Sequence, residues 1–357
     1  MDRGRRDFLA TMGLTMLALS VPSGIVRTNE VVLDSDFVVP VPLSEGATVA
    51  FTAPASPSNA WEIRNFVNYF LNHRCKVIVG ETVTFRDKKF RYLSNDDKFR
   101  ANEINKFFSD PSINAIVAAR GGYGSIRILD LIDYDLIKQN PKIFLGFSDI
   151  TVLLNAISFK SRLVTFHGPT GNFSLDGFTR KVLDYLLFKN NLRTDLPYVY
   201  KFSKENVLNE GKATGRLVGG NLSNFVSLLG TRFDFDSRGK ILFFEEVSEH
   251  PYKIDRMLKQ LELAGKFEDC AGVVLGYFGK LDSRRNFYPD YSFTLREIFY
   301  QTFKKYDFPV LINFPFGHTS KFFTFPIGGI ASFDTKNLEF LLNLYGNNVN
   351  IEKSINK

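Results

Sequence analysis

Short apolar runs alternate with amphipathic segments along the first half of the chain. The apolar runs predict buried strands, and they are ATVAFTAPA from Ala47, CKVIVG from Cys75, INAIVAA from Ile113 and PKIFLG from Pro141. Helical spacing of apolar residues predicts helices over 59–72, 96–108 and 126–132. Strands and helices that alternate in this way imply a parallel sheet with helices on both faces. We therefore predict an α/β domain over 43–186, with its site at the carboxyl ends of the strands.

The pattern changes beyond about Leu186. Residues 187–212 are polar without a clear helical period, so we interpret them as a linker. Two helices are predicted after it, over 221–229 and 252–263. The predicted strands there are ATGRLVGG, KILFFEEV, AGVVLGYFG, PVLINFPFG, GGIASFD and EFLLNLYG. The second half is therefore predicted to be a strand-rich α+β domain over 213–346.

The N-terminus has the layout of an export signal. Residues 1–26 begin with charges, continue as an uncharged apolar stretch and end in small residues. Arg5 and Arg6, followed by Asp7, Phe8 and Leu9, resemble the twin-arginine export motif. We expect an exported, periplasmic protein without a stable membrane anchor. The alternatives are an N-terminal anchor that stays attached, and a cytoplasmic protein if the signal does not function.

Composition narrows the class of partner. Apolar residues form 44% of the 357 residues and charged residues 23%, which is ordinary for a soluble globular protein. The net charge of +7 is spread along the chain without a long basic run. A nucleic-acid-binding protein usually carries a basic stripe, so we expect no nucleic acid partner.

Metal ligation has little support in the sequence. Cys75 and Cys270 lie in no CxxC motif, and each adjoins an apolar run, which predicts buried free thiols. The four histidines form neither an HExxH motif nor a paired Cys/His spacing. We therefore expect neither a metal nor a cofactor.

A strand, a sharp turn and an amphipathic helix meet in PKIFLGFSDITVLLNAI, with Ser148 at the turn. This is the layout of a nucleophile elbow, in which the turn lifts the hydroxyl clear of the sheet. The backbone N–H of Asp149 can then donate to an oxyanion. Ile150 stands where the G-x-S-x-G pattern has its second glycine. From these residues alone, a Ser148 that only caps the helix is the alternative.

The glycine cluster RGGYG, from Arg120 to Gly124, ends another predicted strand. Glycines let the backbone approach a substrate closely, so the N–H groups around Gly121, Gly122 and Tyr123 can face an oxyanion or a carboxylate. A phosphate-binding loop and a plain tight turn are the alternatives. Neither the P-loop pattern nor the full dinucleotide-binding pattern is present.

A serine nucleophile needs a histidine base that a carboxylate orients. His318 follows Gly317 after a strand, which suits an exposed loop. His167 is interpreted as a turn histidine bonded to the backbone, and His250 could line the cleft. Glu245 and Glu246 point to opposite faces of their strand, and the spacing does not decide which of them faces the site.

Several motifs occur in one order over about 43–344: RGGYGS, GFSDIT, FHGPT, GGNLS, EEVSEHP, and FPFGH followed by FPIG. Together they resemble the LD-carboxypeptidase family of serine peptidases. The resemblance implies that Ser148 is the nucleophile, Glu245 the acid and His318 the base of a triad. Glu246 stands where the family often has Asp.

The resemblance also implies a flavodoxin-like or glutaminase-like N-terminal domain, a smaller strand-rich C-terminal domain, and a site in the cleft between them. The implied reaction is hydrolysis of the L,D amide bond of a murein tetrapeptide, with release of the terminal D-alanine, in peptidoglycan recycling or remodelling. Two alternatives stay open: a related enzyme that cleaves a peptidyl-nucleotide antibiotic and confers immunity, and a non-catalytic murein-peptide binding protein. The sequence does not determine the oligomeric state, for which a homodimer is one option.

Overall fold

A computed structural model describes residues 37–85, 87, 89–188, 197–279 and 293–344. The predicted signal peptide, 1–26, lies outside these residues, and so do Arg5 and Arg6. Two sheets and the helices that cover them make up the described chain.

The first sheet is mainly parallel. Its strands are β1 Thr48–Thr52, β2 Lys76–Val79, β3 Ala115–Ala118, β4 Ile143–Gly146, β5 Thr165–His167 and β12 Phe325–Ile327. Their order is β12-β5-β4-β3-β1-β2, and β12 runs antiparallel to β5 at the edge. All residues of β1, β3 and β4 are buried, as expected for parallel strands that are covered on both faces. This sheet confirms the predicted α/β class.

The helices of this part are α1 Arg64–Asn72, α2 Glu81–Thr84, α3 Asp97–Ser109, α4 Tyr134–Gln139, α5 Thr151–Ser161 and α6 Gly177–Leu187. Aspartates cap α3, α4 and α6, because Asp96, Asp133 and Asp176 each accept a backbone N–H of the first helical turn. The helix predicted over 126–132 is a 3₁₀-helix, Ser125–Leu131. No helix in the described part of the chain is both long and apolar enough to cross a membrane.

The second sheet consists of β6 Tyr198–Lys201, β7 Val207–Asn209, β8 Lys212–Asn221, β9 Lys240–Glu245, β10 Gly272–Leu275, β11 Val310–Leu311, β13 Ile330–Asp334 and β14 Glu339–Leu342. Their order is β6-β14-β13-β8-β9-β10-β11-β7, with β8 to β11 parallel and the flanking pairs antiparallel. The helices here are α7 Leu222–Val226, α8 Pro251–Leu263 and α9 Leu295–Phe303. The second part is therefore strand-rich, as predicted.

The region between the two sheets differs from the predicted linker. Within 187–212 the structure places β6, β7 and the start of β8, while 189–196 lie outside the described residues. Strand β6 has four residues that alternate between half-buried and exposed, and it is too short to show a clear period in the sequence. In addition, β12 from the second half joins the first sheet. The first sheet therefore contains strands from both halves of the chain, which the sequence pattern alone does not reveal.

Strand β9 faces two different cores. Ile241 and Phe243 belong to the core that includes the first sheet, whereas Leu242 and Phe244 pack into a second core with α8 and α9. Phe243 stacks on Phe325 of β12, with ring centroids 4.6 Å apart. Because side chains alternate along a strand, the residue two positions after Phe243 faces the first sheet as well.

Candidate active site

Ser148 lies at a strained turn immediately after β4. Its φ is +61°, in the left-handed region that residues other than glycine seldom occupy, while Phe147 before it is extended. A short 3₁₀-helix, Ser148–Ile150, continues into α5. Backbone strain of this kind concentrates at functional sites, and here it separates the predicted nucleophile elbow from an ordinary helix cap, whose φ is extended.

Gly121 makes the close approach to this turn possible. A Cβ at this position would lie 2.9 Å from Ser148 Cβ and 3.1 Å from Ser148 Oγ. Only a residue without a side chain therefore allows the backbone after β3 to lie against Ser148. The structure thus brings the two predicted loops together at the carboxyl ends of adjacent strands.

The glycine loop is fixed by the hydroxyl of Ser56, a residue that the sequence analysis did not identify. The N–H of Tyr123 donates to Ser56 Oγ at 3.1 Å, and Ser56 Oγ donates to the Tyr92 carbonyl at 2.9 Å. The Tyr123 N–H is therefore engaged. Among the described residues the Gly122 N–H has no acceptor, which leaves it available to an oxyanion.

Asp149 ties the same loop to the elbow through its side chain. Its Oδ2 accepts the backbone N–H of Ser125 at 2.8 Å, and the side chain is buried. Burial raises the pKa of Asp149 above its ordinary value, although the hydrogen bonds from Ser125 and Gly124 act in the opposite direction. The side chain of Asp149 is thus structural, while its backbone N–H opens the short helix after Ser148.

Glu245 and His318 form a direct pair. Glu245 ends β9 and is completely buried, and its Oε2 lies 2.7 Å from His318 Nδ1. An ionised carboxylate can only accept, so Nδ1 carries the proton and Nε2 is left as the basic nitrogen. Gly317 permits this contact, because a Cβ there would lie 2.7 Å from Glu245 Cβ.

The environment of His318 favours its charged form. Burial alone lowers the pKa of His318, but the hydrogen bond and charge of Glu245, together with the charge of Glu246, outweigh burial. The net effect raises the pKa above the ordinary value. A base of this kind can accept a proton and hold it during a reaction.

Glu246 has a different set of contacts. Its Oε2 accepts the N–H of Ser223 at 3.0 Å and its Oε1 accepts the N–H of Val247 at 2.9 Å. Ser223 lies in the first turn of α7. Glu246 therefore holds the start of that helix and the turn after β9, while Glu245 faces the histidine.

The elbow and the histidine are neighbours across the two halves of the chain. The ring of Phe147 lies 4.8 Å from the ring of His318, centroid to centroid. No direct hydrogen bond joins Ser148 Oγ to His318, both of which the structure describes. Catalytic hydrogen bonds are often long before substrate binds, and they tighten in the complex.

Helix α5 is attached directly to the second sheet. Thr151 Oγ1 accepts the N–H of Asn221 at 3.0 Å, and Asn155 Nδ2 donates to the Gly219 carbonyl at 2.8 Å. Asn221 pairs with Glu245 in the β8–β9 register. These bonds link the helix that follows Ser148 to β8, the neighbour of the strand that carries Glu245. Sequence reasoning missed Thr151 and Asn155, since only the fold brings them to β8.

Neither of the other two candidate histidines takes the place of His318 beside Glu245. His167 was predicted in a turn bonded to backbone, and this was wrong: it ends β5, is completely buried, and neither ring nitrogen has a partner among the described residues. Burial, with a smaller effect of the nearby His318, lowers the pKa of His167 to about 3. His250 precedes α8 and stacks on Tyr252, with ring centroids 5.9 Å apart.

The cysteines are buried free thiols, as predicted. Burial raises the pKa of Cys270 to about 12, which keeps its thiol protonated and unreactive. The described residues contain no group of three or more His, Cys, Asp or Glu side chains that could hold a metal ion.

Comparison with protein families matches both halves of the chain. The LD-carboxypeptidase N-terminal domain matches residues 49–168, and the LD-carboxypeptidase C-terminal domain matches residues 214–333. A probable murein peptide carboxypeptidase of Bacillus subtilis is 37% identical over 300 residues, which are 83% of this chain and 91% of that protein. The microcin C7 self-immunity protein of Escherichia coli is 28% identical over 342 residues, with 86% and 96% coverage.

Solved structures with the same fold include a carboxypeptidase and the self-immunity protein. A muramoyltetrapeptide carboxypeptidase from Oxalobacter formigenes superposes with a TM-score of 0.71 at 27% identity, covering 84% of this chain and 100% of that chain. The microcin C7 self-immunity protein in complex with aspartyl sulfamoyl adenosine gives a TM-score of 0.75 at 25% identity, with 85% and 98% coverage.

Proposed function

The chain belongs to the LD-carboxypeptidase family of serine peptidases, and from this premise we propose that it hydrolyses the L,D amide bond of murein tetrapeptides and releases the terminal D-alanine. The observation that carries the proposal is the 2.7 Å hydrogen bond between His318 and Glu245, set beside the left-handed turn at Ser148. A nucleophile, a base and an orienting acid are the parts that serine hydrolysis needs.

The reaction begins when His318 Nε2 takes the proton of Ser148 Oγ and the oxygen attacks the scissile carbonyl. The N–H groups of Gly122 and Asp149 stabilise the negative oxygen that forms. His318 then gives its proton to the leaving amino group of D-alanine, which departs. Water, activated by the same histidine, releases the peptide from Ser148. Glu245 keeps Nδ1 protonated and stabilises the charged imidazole throughout.

Murein peptide is favoured as the substrate by the relative from Bacillus subtilis, whose name is that of a murein peptide carboxypeptidase and which is 37% identical. The second candidate function is cleavage of an aminoacyl or peptidyl nucleotide that confers immunity. It is supported by the likeness to the microcin C7 self-immunity protein, which extends over 86% of this chain. Trp61, the one tryptophan of the sequence, packs under the guanidinium of Arg64 at 3.9 Å. The guanidinium covers one face of this exposed indole.

A direct comparison of the two substrates tests the proposal. Purified protein is incubated with a murein tetrapeptide and, separately, with an aminoacyl sulfamoyl nucleotide, each with and without EDTA. The proposal predicts release of D-alanine from the tetrapeptide, unchanged by EDTA. Cleavage of the nucleotide alone would assign the immunity function, and loss of activity with EDTA would contradict the metal-free mechanism.

We also propose that the protein works in the periplasm after export through the twin-arginine route. The support is Arg5 and Arg6 ahead of the apolar stretch in residues 1–26. A periplasmic location places the enzyme next to the murein itself.

A further inference from the structure

A carboxypeptidase has to distinguish the end of a peptide from its interior. The residue that the proposed reaction releases carries a free carboxylate. The buried side chains in and next to the proposed triad include three acids, Glu245, Glu246 and Asp149. A carboxylate that enters beside acidic groups needs a cation to balance its charge. Arginine suits this task because its planar guanidinium can make two parallel hydrogen bonds to one carboxylate.

Arg120 is placed next to the nucleophile by the fold. It follows the buried strand β3 and directly precedes Gly121. Gly121 is the residue whose Cβ would lie 3.1 Å from Ser148 Oγ. Consecutive Cα atoms are about 3.8 Å apart, so the Cα of Arg120 lies at that distance from the Cα of the glycine that packs against Ser148.

Three arginines lie in or next to the glycine loop, and two of them pair with an acidic side chain. Arg127 makes two bonds to the Asp97 carboxylate, at 3.0 and 2.8 Å. Arg100 is completely buried, pairs with the same Asp97 and donates to the Gly124 carbonyl at 3.0 Å. Both of these guanidiniums therefore already pair with a carboxylate.

Arg120 differs from Arg100 and Arg127 in having no such partner in the part of the chain that the structure describes. Its side chain is exposed, and among the described residues its guanidinium has no hydrogen bond and no ion pair. An arginine held on a rigid loop beside Ser148, with its donors unoccupied, is arranged to receive an anion. The loop itself is fixed by the bond between the Tyr123 N–H and Ser56 Oγ.

We propose that the guanidinium of Arg120 binds the free α-carboxylate of the residue that is released, and so makes the enzyme cut at the carboxyl end. This inference rests on the proposed function and adds the residue that recognises the terminal carboxylate of the substrate. Arg120 touches the substrate away from the bond that is broken, so it contributes to binding and positioning rather than to proton transfer.

The experiment compares two murein tetrapeptides that differ only at the end, one with free D-alanine and one with D-alaninamide. The wild type is expected to prefer the free acid. For Arg120→Ala we expect kcat/KM on the free acid to fall by about 100-fold, mainly through KM, because a hydrogen-bonded charge partner is lost. On the amide we expect a change of less than about 3-fold. Arg120→Lys should recover part of the preference for the free acid, since lysine keeps the positive charge but cannot make two parallel hydrogen bonds to one carboxylate.

Two further variants serve as comparisons. Arg296→Ala removes an exposed arginine on α9 and should leave the preference for the free acid unchanged. Lys321→Ala removes the exposed cation that follows His318 on the other side of the site, and it too should leave the preference in place.

The inference is overturned if Arg120→Ala keeps the wild-type preference for the free acid, or if Lys321→Ala is the change that removes it. An equal loss on both substrates with a lowered melting temperature would assign Arg120 a structural role and overturn it as well. A wild type that cuts neither peptide overturns the proposed function and this inference with it. The two failures are therefore distinguishable by the wild-type result.

Discussion

Glu245 Oε2 lies 2.7 Å from His318 Nδ1, at the end of a strand where the carboxylate is completely buried. The next residue, Glu246, follows the end of β9; it is also buried, but both of its carboxylate oxygens accept backbone N–H groups. Two adjacent acids thus have different contacts: Glu245 shares the face of Phe243 that packs on the first sheet, whereas Glu246 accepts an N–H at the start of α7.

These different contacts predict opposite results for two matched substitutions. Glu245→Gln should lower kcat by roughly 10⁴, because the histidine loses the partner that fixes its tautomer. Glu246→Gln should change kcat little and lower the unfolding free energy by about 1–3 kcal/mol, because the Gln NH₂ faces an N–H that needs an acceptor. Steady-state kinetics and thermal melting measure the two effects. If Glu246→Gln lowers kcat strongly while Glu245→Gln keeps a kcat near that of the wild type, the orienting acid has been assigned to the wrong residue.

Activity should fall at acidic pH with the titration of His318. The base has to be neutral to accept the Ser148 proton, so activity is lost as pH falls through its pKa. Glu245 and Glu246 raise that pKa above the ordinary 6.5. The acidic limb of kcat/KM, which reports the free enzyme, should therefore have its midpoint above 6.5.

The same profile tests the contribution of Glu246. Removing its charge in Glu246→Gln should move the acidic limb to lower pH, whereas Glu262→Gln, on α8, should leave it in place. A wild-type midpoint well below the ordinary histidine value would contradict the assignment of His318 as the base.

Close packing against Ser148 makes position 121 sensitive to a single added methyl group. Gly121→Ala would place a Cβ 2.9 Å from Ser148 Cβ, so either the elbow or the loop has to shift. Misplacement of reacting groups by about 1 Å costs on the order of 100-fold, and we expect that loss in kcat/KM. Gly177→Ala is the control, because no atom lies within 4 Å of the added Cβ at the start of α6. Equal activity of both variants would show that the contact with Ser148 is not needed.

Export should depend on the arginine pair. Replacing Arg5 and Arg6 together with Lys should leave the protein in the cytoplasm, because the twin-arginine route recognises those side chains. Cell fractionation with immunoblotting measures the distribution. Unchanged export of the double variant, or a cytoplasmic wild type, would refute this part of the proposal.

Much of the site follows from sequence because its chemistry is local. The elbow at Ser148 combines a strand, a turn and a helix within one segment, and the order of motifs selects Glu245 and His318. The structure places these two in contact. The strand period left open whether Glu245 or Glu246 faces the site. In the structure Phe243 packs on the first sheet, and Glu245 lies on the same face of β9 as Phe243.

Other features depend on contacts between distant segments, which spacing does not encode. Ser56 and Thr151 act on partners far along the chain, Tyr123 and Asn221. His167 reads as a turn residue in FHGPT, but β12 pairs with β5 and buries it among phenylalanines. Strands β6 and β7 were missed because they are edge strands of four and three residues, too short to show a clear period in the sequence.

The central claim is tested most directly by mass spectrometry of a murein tetrapeptide and its epimer, one ending in D-alanine and the other in L-alanine. Wild-type protein should release D-alanine from the first and leave the second largely intact. Ser148→Ala should lower the rate on the first by about 10⁶, as expected when a triad loses its nucleophile, while folding as the wild type does. Equal cleavage of both epimers, or a Ser148→Ala protein as active as the wild type, would contradict the account.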